Sequence, residues 1–147
     1  MVNFDYQTPT RLIFGKGVVS EKLASVMNQY GKRVLITYGG GSIKRTAPGH
    51  DKSLYDLVKD TLTDKQVFEL GGIQPNPKFN PSVLDGVRMC QDNDIDVILA
   101  VGGGSVLDCT KAIAGVAGTL KTKVTDNVEE ACKFFFVMFE GNMKYYI

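Results

Sequence analysis

The chain has 147 residues, 44% hydrophobic and 22% charged, with 17 basic side chains against 16 acidic ones. That is enough for one domain with a sizeable core and too little for two. A formal charge of +1 gives no field to gather nucleic acid or an anionic membrane, so neither partner is expected.

Cysteine usage points the same way. Cys90, Cys109 and Cys132 are odd in number, widely spaced and without a Cys-x-x-Cys pair, which speaks against a disulfide framework or a compact thiolate metal site and fits a reducing, cytoplasmic setting. The N-terminus lacks a basic-then-apolar signal, and no apolar run is long enough to span a bilayer.

Phe4 and Tyr6, then Leu12-Ile13-Phe14 around Pro9, predict two short extended pieces covering an edge of the main sheet, closed by Gly15-Lys16-Gly17. Over residues 18–30, Val19, Leu23, Val26, Met27 and Tyr30 share one helical face, and Gly31 is a natural stop. Residues 34–38 read as a strand that runs straight into Gly39-Gly40-Gly41-Ser42. Lys44 and Arg45 come soon after: two cations beside exposed backbone amides suit a phosphate, and equally a solvated loop.

Pro48-Gly49 marks a turn, and His50, the one histidine, fits a surface position there better than a metal or acid-base role. Ser53 or Asp51 can cap a helix through Leu54, Leu57, Val58 and Leu62, after which residues 66–70 form another strand and close a strand-helix-strand unit. The next loop has three prolines, Pro75, Pro77 and Pro81, and holds Asn76, whose side chain can bond a ligand or its own turn. Asn80 and Pro81 stand as cap and first-turn residue of a helix over residues 81–91, burying Val83, Leu84, Val87 and Cys90.

Residues 96–114 organise the rest. An apolar run ends in Gly102-Gly103-Gly104-Ser105, and apolar residues then recur at helical spacing to about Gly118: strand, tight turn, helix. Glycines allow a close backbone approach, and a helix's first turn presents unpaired N–H groups with partial positive charge, so an anion fits there. The plainer reading makes Ser105 a helix cap with Asp108 its capping-box partner. Asp108 and Lys111, three apart, read as a surface ion pair or as groups addressing a ligand beside that turn.

The tail changes character. Asp126 can cap a short helix, while the all-round apolar run at residues 134–139 permits either strand, turn and second strand or one core helix ending at Gly141. Repeated strand-helix-strand order gives the fold class: α/β, a doubly wound, mainly parallel Rossmann-like sheet with helices on both faces. Two glycine-rich turns at strand ends suggest one extended ligand across neighbouring tips, and that reading requires the two bends to be close with the crevice between them clear of residues 134–147.

Residues 34–44 (VLITYGGGSIK), 72–77 (GIQPNP) and 98–114 (ILAVGGGSVLDCTKAIA) together resemble the nucleotide-binding N-terminal domain of the iron-dependent, or group III, alcohol dehydrogenases, and most the NADP-dependent butanol dehydrogenase branch. The resemblance runs over residues 3–114, interrupted at 47–53, and fades beyond. It implies that Gly102, Gly103, Gly104 and Ser105 bind the cofactor diphosphate and that Gly39, Gly40, Gly41 and Ser42 surround the adenosine ribose. Asp108 and Lys111 then stand near the nicotinamide end, and Asn76 in a loop beside the cofactor. NAD-binding relatives carry an aspartate near Gly39; a backbone cradle in its place favours NADP.

The resemblance also implies a domain division: residues 1–120 as the NADP-binding unit and 121–147 as a divergent tail packed on it or on a partner chain. The family's helical domain, whose aspartate and three histidines bind iron or zinc, has no counterpart in these residues, so no metal site and no catalytic residue are expected here. The expected function is therefore cofactor binding for an alcohol–aldehyde oxidoreductase with little turnover alone. The alternative is a non-catalytic module that homodimerises through its aromatic tail.

Overall fold

The computed structural model describes residues 11–121, 134–140 and 144–146. In chain order its elements are helix α1 (Val18–Met27), strand β1 (Arg33–Tyr38), helix α2 (Leu54–Thr61), strand β2 (Gln66–Leu70), helix α3 (Leu84–Asp92), strand β3 (Val97–Gly102), helix α4 (Gly104–Lys121), strand β4 (Phe134–Glu140) and strand β5 (Lys144–Tyr146). The sheet has the order β2-β1-β3-β4-β5. Neighbours β2–β1, β1–β3 and β3–β4 are parallel, and β5 closes the edge antiparallel to β4.

Side-chain alternation along the central strands builds two cores. Val34, Ile36 and Tyr38 of β1 join Val97, Leu99 and Val101 of β3 beneath α1 and α2, which contribute Val19, Leu23, Met27, Leu54 and Val58. Leu35, Ile98 and Ala100 point the other way, onto Val83, Val87 and Cys90 of the α3 segment and Val106, Cys109, Ile113 and Ala114 of α4. Strands covered on both faces are apolar at nearly every position, with Thr37 the buried polar exception in β1, which is why β1 and β3 read as near-continuous runs. The fold is thus the expected Rossmann-like α/β sheet with helices on both faces.

The base of the sheet is fastened by one carboxylate. Asp96, just before β3, accepts from the backbone N–H groups of Lys32 and Arg33, both at 2.9 Å, at the start of β1. A Cβ on Gly31 would collide with the Asp96 side chain, so this glycine serves the close approach. The helix it was expected to stop has already ended in a turn in which Tyr30 N–H donates to Met27 O at 3.2 Å.

Local chemistry explains the other ends. Ser53 caps α2 in a capping box: Asp56 N–H donates to Ser53 Oγ at 3.1 Å and Ser53 N–H to Asp56 Oδ2 at 3.3 Å. The helix expected from Pro81 enters through an irregular turn, Phe79–Val83, in which Asn80 alone is non-helical (φ −111°, ψ 126°), the extended geometry of a cap position; regular α-helix starts at Leu84. The stop expected at Gly118 is also corrected. Helix α4 continues to Lys121 because Ala114, Ala117 and Gly118 keep the buried face going, and packing outweighs glycine's cost of about 1 kcal/mol in a helix interior.

At the N-terminal side, Phe14 forms a single bridge rather than a strand of the sheet, and Leu12 and Phe14 are exposed; Phe4, Tyr6 and Pro9 lie outside the described residues. The tail takes the two-strand alternative, with β4 paired along β3 on the side away from β1. The expected Asp126 cap lies outside the described residues, as does Cys132. Cys90 and Cys109 are both buried. No helix among the described residues is long and apolar enough to cross a membrane.

Candidate functional site: the crevice between β1 and β3

From β1 the chain crosses to β2 on one side, and from β3 it crosses to β4 on the other. The crevice outside the carboxyl ends of β1 and β3 is therefore the point where the winding reverses, the place where open α/β sheets bind ligands. Tyr38 lies opposite Val101 in the parallel register, so Gly39 and Gly102 leave the sheet side by side, on strands about 4.8 Å apart. The two glycine turns are neighbours, and β4 lies beyond β3 rather than between them.

A buried hydroxyl pair fixes their relation. Thr110 in α4 donates to Val106 O at 2.7 Å, which uses its one proton, so Thr37 of β1 must donate across the 2.6 Å gap to Thr110 Oγ1. Strand β1 is thereby tied to the helix that leaves β3.

In the β3 turn, Gly103 O accepts from Val106 N–H at 3.0 Å and from Leu107 N–H at 3.1 Å. The helix thus begins at Gly104, two residues earlier than a Ser105 cap would require. Ser105 is its second residue, and the expected capping box with Asp108 is replaced by an exposed 3.6 Å ion pair between Asp108 and Lys111. A Cβ on Gly102 would sit 2.7 Å from Val106 Cγ2, whereas one on Gly104 would meet nothing within 4 Å. The amides of Gly104 and Ser105 precede these first bonds, at the end of the helix next to the carboxyl end of β3.

The β1 turn differs. Gly39 O accepts from Gly72 N–H at 2.8 Å and Tyr38 O from Ile73 N–H at 3.2 Å, so the segment after β2 stays paired beside the turn. A Cβ on Gly39 would stand a tight 3.3 Å from Ile73 O, but at Gly40 and Gly41 it would meet nothing within 4 Å. A single 3-10 turn, Gly41–Lys44, then buries Ile43 and leaves Ser42 exposed. Asn76 is exposed in the proline-rich loop with left-handed backbone, φ 52°.

A polar cluster that sequence reasoning missed stands beside the β1 turn. Glu69, the penultimate residue of β2, accepts from the Tyr38 hydroxyl at 3.1 Å, the Tyr55 hydroxyl at 2.7 Å and the Lys59 ammonium at 3.1 Å. Burial pushes the Glu69 carboxyl up, but the bonds from Tyr55, Lys59 and Tyr38 outweigh it and hold it below the ordinary glutamate value. The two rings meet edge to face with centroids 6.0 Å apart, and the Lys44 ammonium lies 4.8 Å from the Tyr38 centroid and 4.5 Å from that of Tyr55. The Tyr38 hydroxyl raises the Lys44 pKa above its usual value. An acidic residue near the end of the strand next in sequence after a glycine turn was the available signal.

His50 is exposed in its turn, its N–H donating to Ala47 O at 3.1 Å. It lines a groove of about 620 Å³ walled mainly by Phe14, Val19, Pro48 and Leu57, which contains none of the glycine-turn residues. Among the described residues no three His, Cys, Asp or Glu side chains converge as a metal-ligand set.

These features define a class: a Rossmann-like domain with two adjacent glycine turns at its switch point. The chain belongs to the iron-containing alcohol dehydrogenase family, whose model matches residues 9–138 and so extends past Ala114, where the resemblance in sequence was expected to fade. It is 52% identical over 116 residues to the probable NADH-dependent butanol dehydrogenase 2 of Bacillus subtilis, covering 78% of this chain and 28% of that protein. To the NADPH-dependent aldehyde reductase YqhD of Escherichia coli it is 44% identical over 117 residues, covering 80% and 28%. The structure of NADH-dependent butanol dehydrogenase A from Thermotoga maritima superposes with a TM-score of 0.75 at 31% identity, over 92% of this chain and 34% of that one. The chain therefore spans little more than a quarter of the curated relatives it matches, as a dinucleotide-binding domain of an oxidoreductase family.

Proposed function

We propose that this domain binds NADP(H) across the β1–β3 crevice, as the cofactor-holding part of an oxidoreductase that interconverts alcohols and aldehydes. One observation carries the reading: Gly40, Gly41 and Gly104, from two adjacent turns, have no neighbour within 4 Å of a Cβ, so no contact inside the fold requires a glycine there. Side chains at these positions would occupy the space a dinucleotide needs.

Gly39, Gly40, Gly41 and Ser42 surround the adenosine ribose in this proposal. Gly102, Gly103, Gly104 and Ser105 hold the diphosphate against the first turn of α4, where unpaired amides and the helix dipole favour negative charge. Asp108 and Lys111 lie toward the nicotinamide end, and Asn76 in the loop beside the cofactor. The bound cofactor supplies hydride transfer; the chain's own residues bind and orient it.

Preference for the 2′-phosphorylated form is supported by the absence of a carboxylate in residues 39–42 and by Glu69, whose oxygens already accept from three donors. In the proposed division, residues 1–120 form the binding unit and 121–147 an addition that extends the sheet. The 147-residue chain alone then binds cofactor with little or no turnover.

Fluorescence titration of the purified chain with NADPH and NADH tests this. Saturable NADPH binding below millimolar concentration, tighter than NADH, is expected; no saturation at millimolar NADPH overturns it. An alcohol oxidation assay with and without divalent iron or zinc tests the expected lack of turnover.

A further inference from the structure

We propose that Lys44 is the residue that selects a 2′-phosphorylated dinucleotide, its ammonium held beside the β1 turn by the faces of Tyr38 and Tyr55. The inference rests on the cofactor-binding reading above and assigns discrimination at that site to one side chain.

The placement comes from neighbouring parts of the chain. Tyr38 is the residue immediately before Gly39, and Lys44 is the last of the 3-10 turn that begins at Gly41. A cation over the Tyr38 ring is therefore beside the backbone proposed to hold the adenosine ribose. An exposed lysine ordinarily samples many rotamers, and fixing one costs side-chain entropy. Here two ring faces attract the same ammonium, each contact worth about 0.5–1 kcal/mol at an exposed site.

The rings themselves are held. Both hydroxyls donate to Glu69, which binds one tyrosine from β1 and one from α2 with a single carboxylate. A Cβ on Gly71 would collide with the Tyr38 ring, so the glycine after β2 leaves room for it. Lys59 completes the arrangement by pairing with Glu69 at 3.1 Å. The cluster then holds one carboxylate against two ammoniums, and the carboxylate is already engaged while Lys44 remains exposed. A surplus positive charge at a fixed place is what a phosphate monoester on a ribose would recognise; a free ribose hydroxyl gains much less from it.

Calorimetric titration of the full 147-residue chain with adenosine 2′,5′-bisphosphate and with ADP tests the assignment, since the two probes place a phosphate at different positions on one nucleoside. The wild type should prefer the bisphosphate by at least about tenfold, the scale of a charged hydrogen bond. Lys44→Gln should remove most of that preference while leaving ADP affinity within about twofold, and Lys44→Arg, which keeps charge and stacking, should retain most of it. Tyr55→Leu should lose part of the preference, again without weakening ADP. A Lys44→Gln variant that weakens both probes equally, or that keeps the full preference, overturns the inference while leaving the crevice reading in place. A wild-type chain that binds ADP but does not favour the bisphosphate overturns it in the same way. A wild-type chain that binds neither probe removes the crevice reading and this inference together.

Discussion

The two glycine turns look alike in sequence and are built for different reasons. At the β3 turn the fold itself demands glycine: Gly102 lies under Val106, and the first bonds of an 18-residue helix begin at Gly103 O. At the β1 turn Gly40 and Gly41 face open space, and the chain goes on into a single 3-10 turn and a loop. The first turn is packed at Gly102 by its own helix; the second leaves Gly40 and Gly41 without a neighbour inside the fold. Glycines that look alike in sequence thus differ in whether the fold itself requires them.

Substitutions should separate packed glycines from open ones, even within the β3 turn. Gly102→Ala places a methyl group 2.7 Å from Val106 Cγ2 in a buried setting and should cost about 1–3 kcal/mol in urea unfolding, the range for an overpacked core. Gly104→Ala, in the open first turn of α4, should leave stability equal or slightly higher, yet weaken NADPH by at least about tenfold, or ~1.4 kcal/mol. If Gly104→Ala instead destabilised the fold and spared the cofactor, the contrast would be reversed.

Thr37→Val tests the link between the turns. It removes the buried bond to Thr110 while conserving shape, and should lower stability by about 1 kcal/mol in the same urea assay. Cofactor affinity should fall with it, because the two cradles lose a common anchor.

The smallest effect concerns pH. Glu69 has its carboxyl pKa depressed in the folded state, so its contribution is fully present above the unfolded value and is lost as pH falls through the folded one. Acidification below the ordinary glutamate range should therefore erode stability, and Glu69→Gln should flatten that part of the profile. Thermal midpoints across an acid series would show it, and parallel profiles for the two proteins would count against the cluster.

Much of the fold was legible because strands covered on both faces are plain apolar runs. Residues 66–70 needed only their flanking polar and glycine residues to be read as a strand, and Ser53 announced the start of α2. Where signals failed, a longer-range contact decided. Gly118 reads as a stop until its burial on α4 is known. The apolar run at 134–139 has no period, so its strand assignment came from pairing with β3. The glycine turns were visible as candidates, but their adjacency depends on strand order. The Glu69 cluster was not visible, because Tyr38, Lys44, Tyr55, Lys59 and Glu69 meet only when β2 returns beside β1.

Strand order has an evolutionary consequence as well. Both proposed cradles are encoded between Arg33 and the start of α4, while β4 and β5 attach on the far flank of β3. A change on that flank would remodel an outer margin and leave the central furrow as it is, so descendants could differ beyond α4 while keeping both glycine turns.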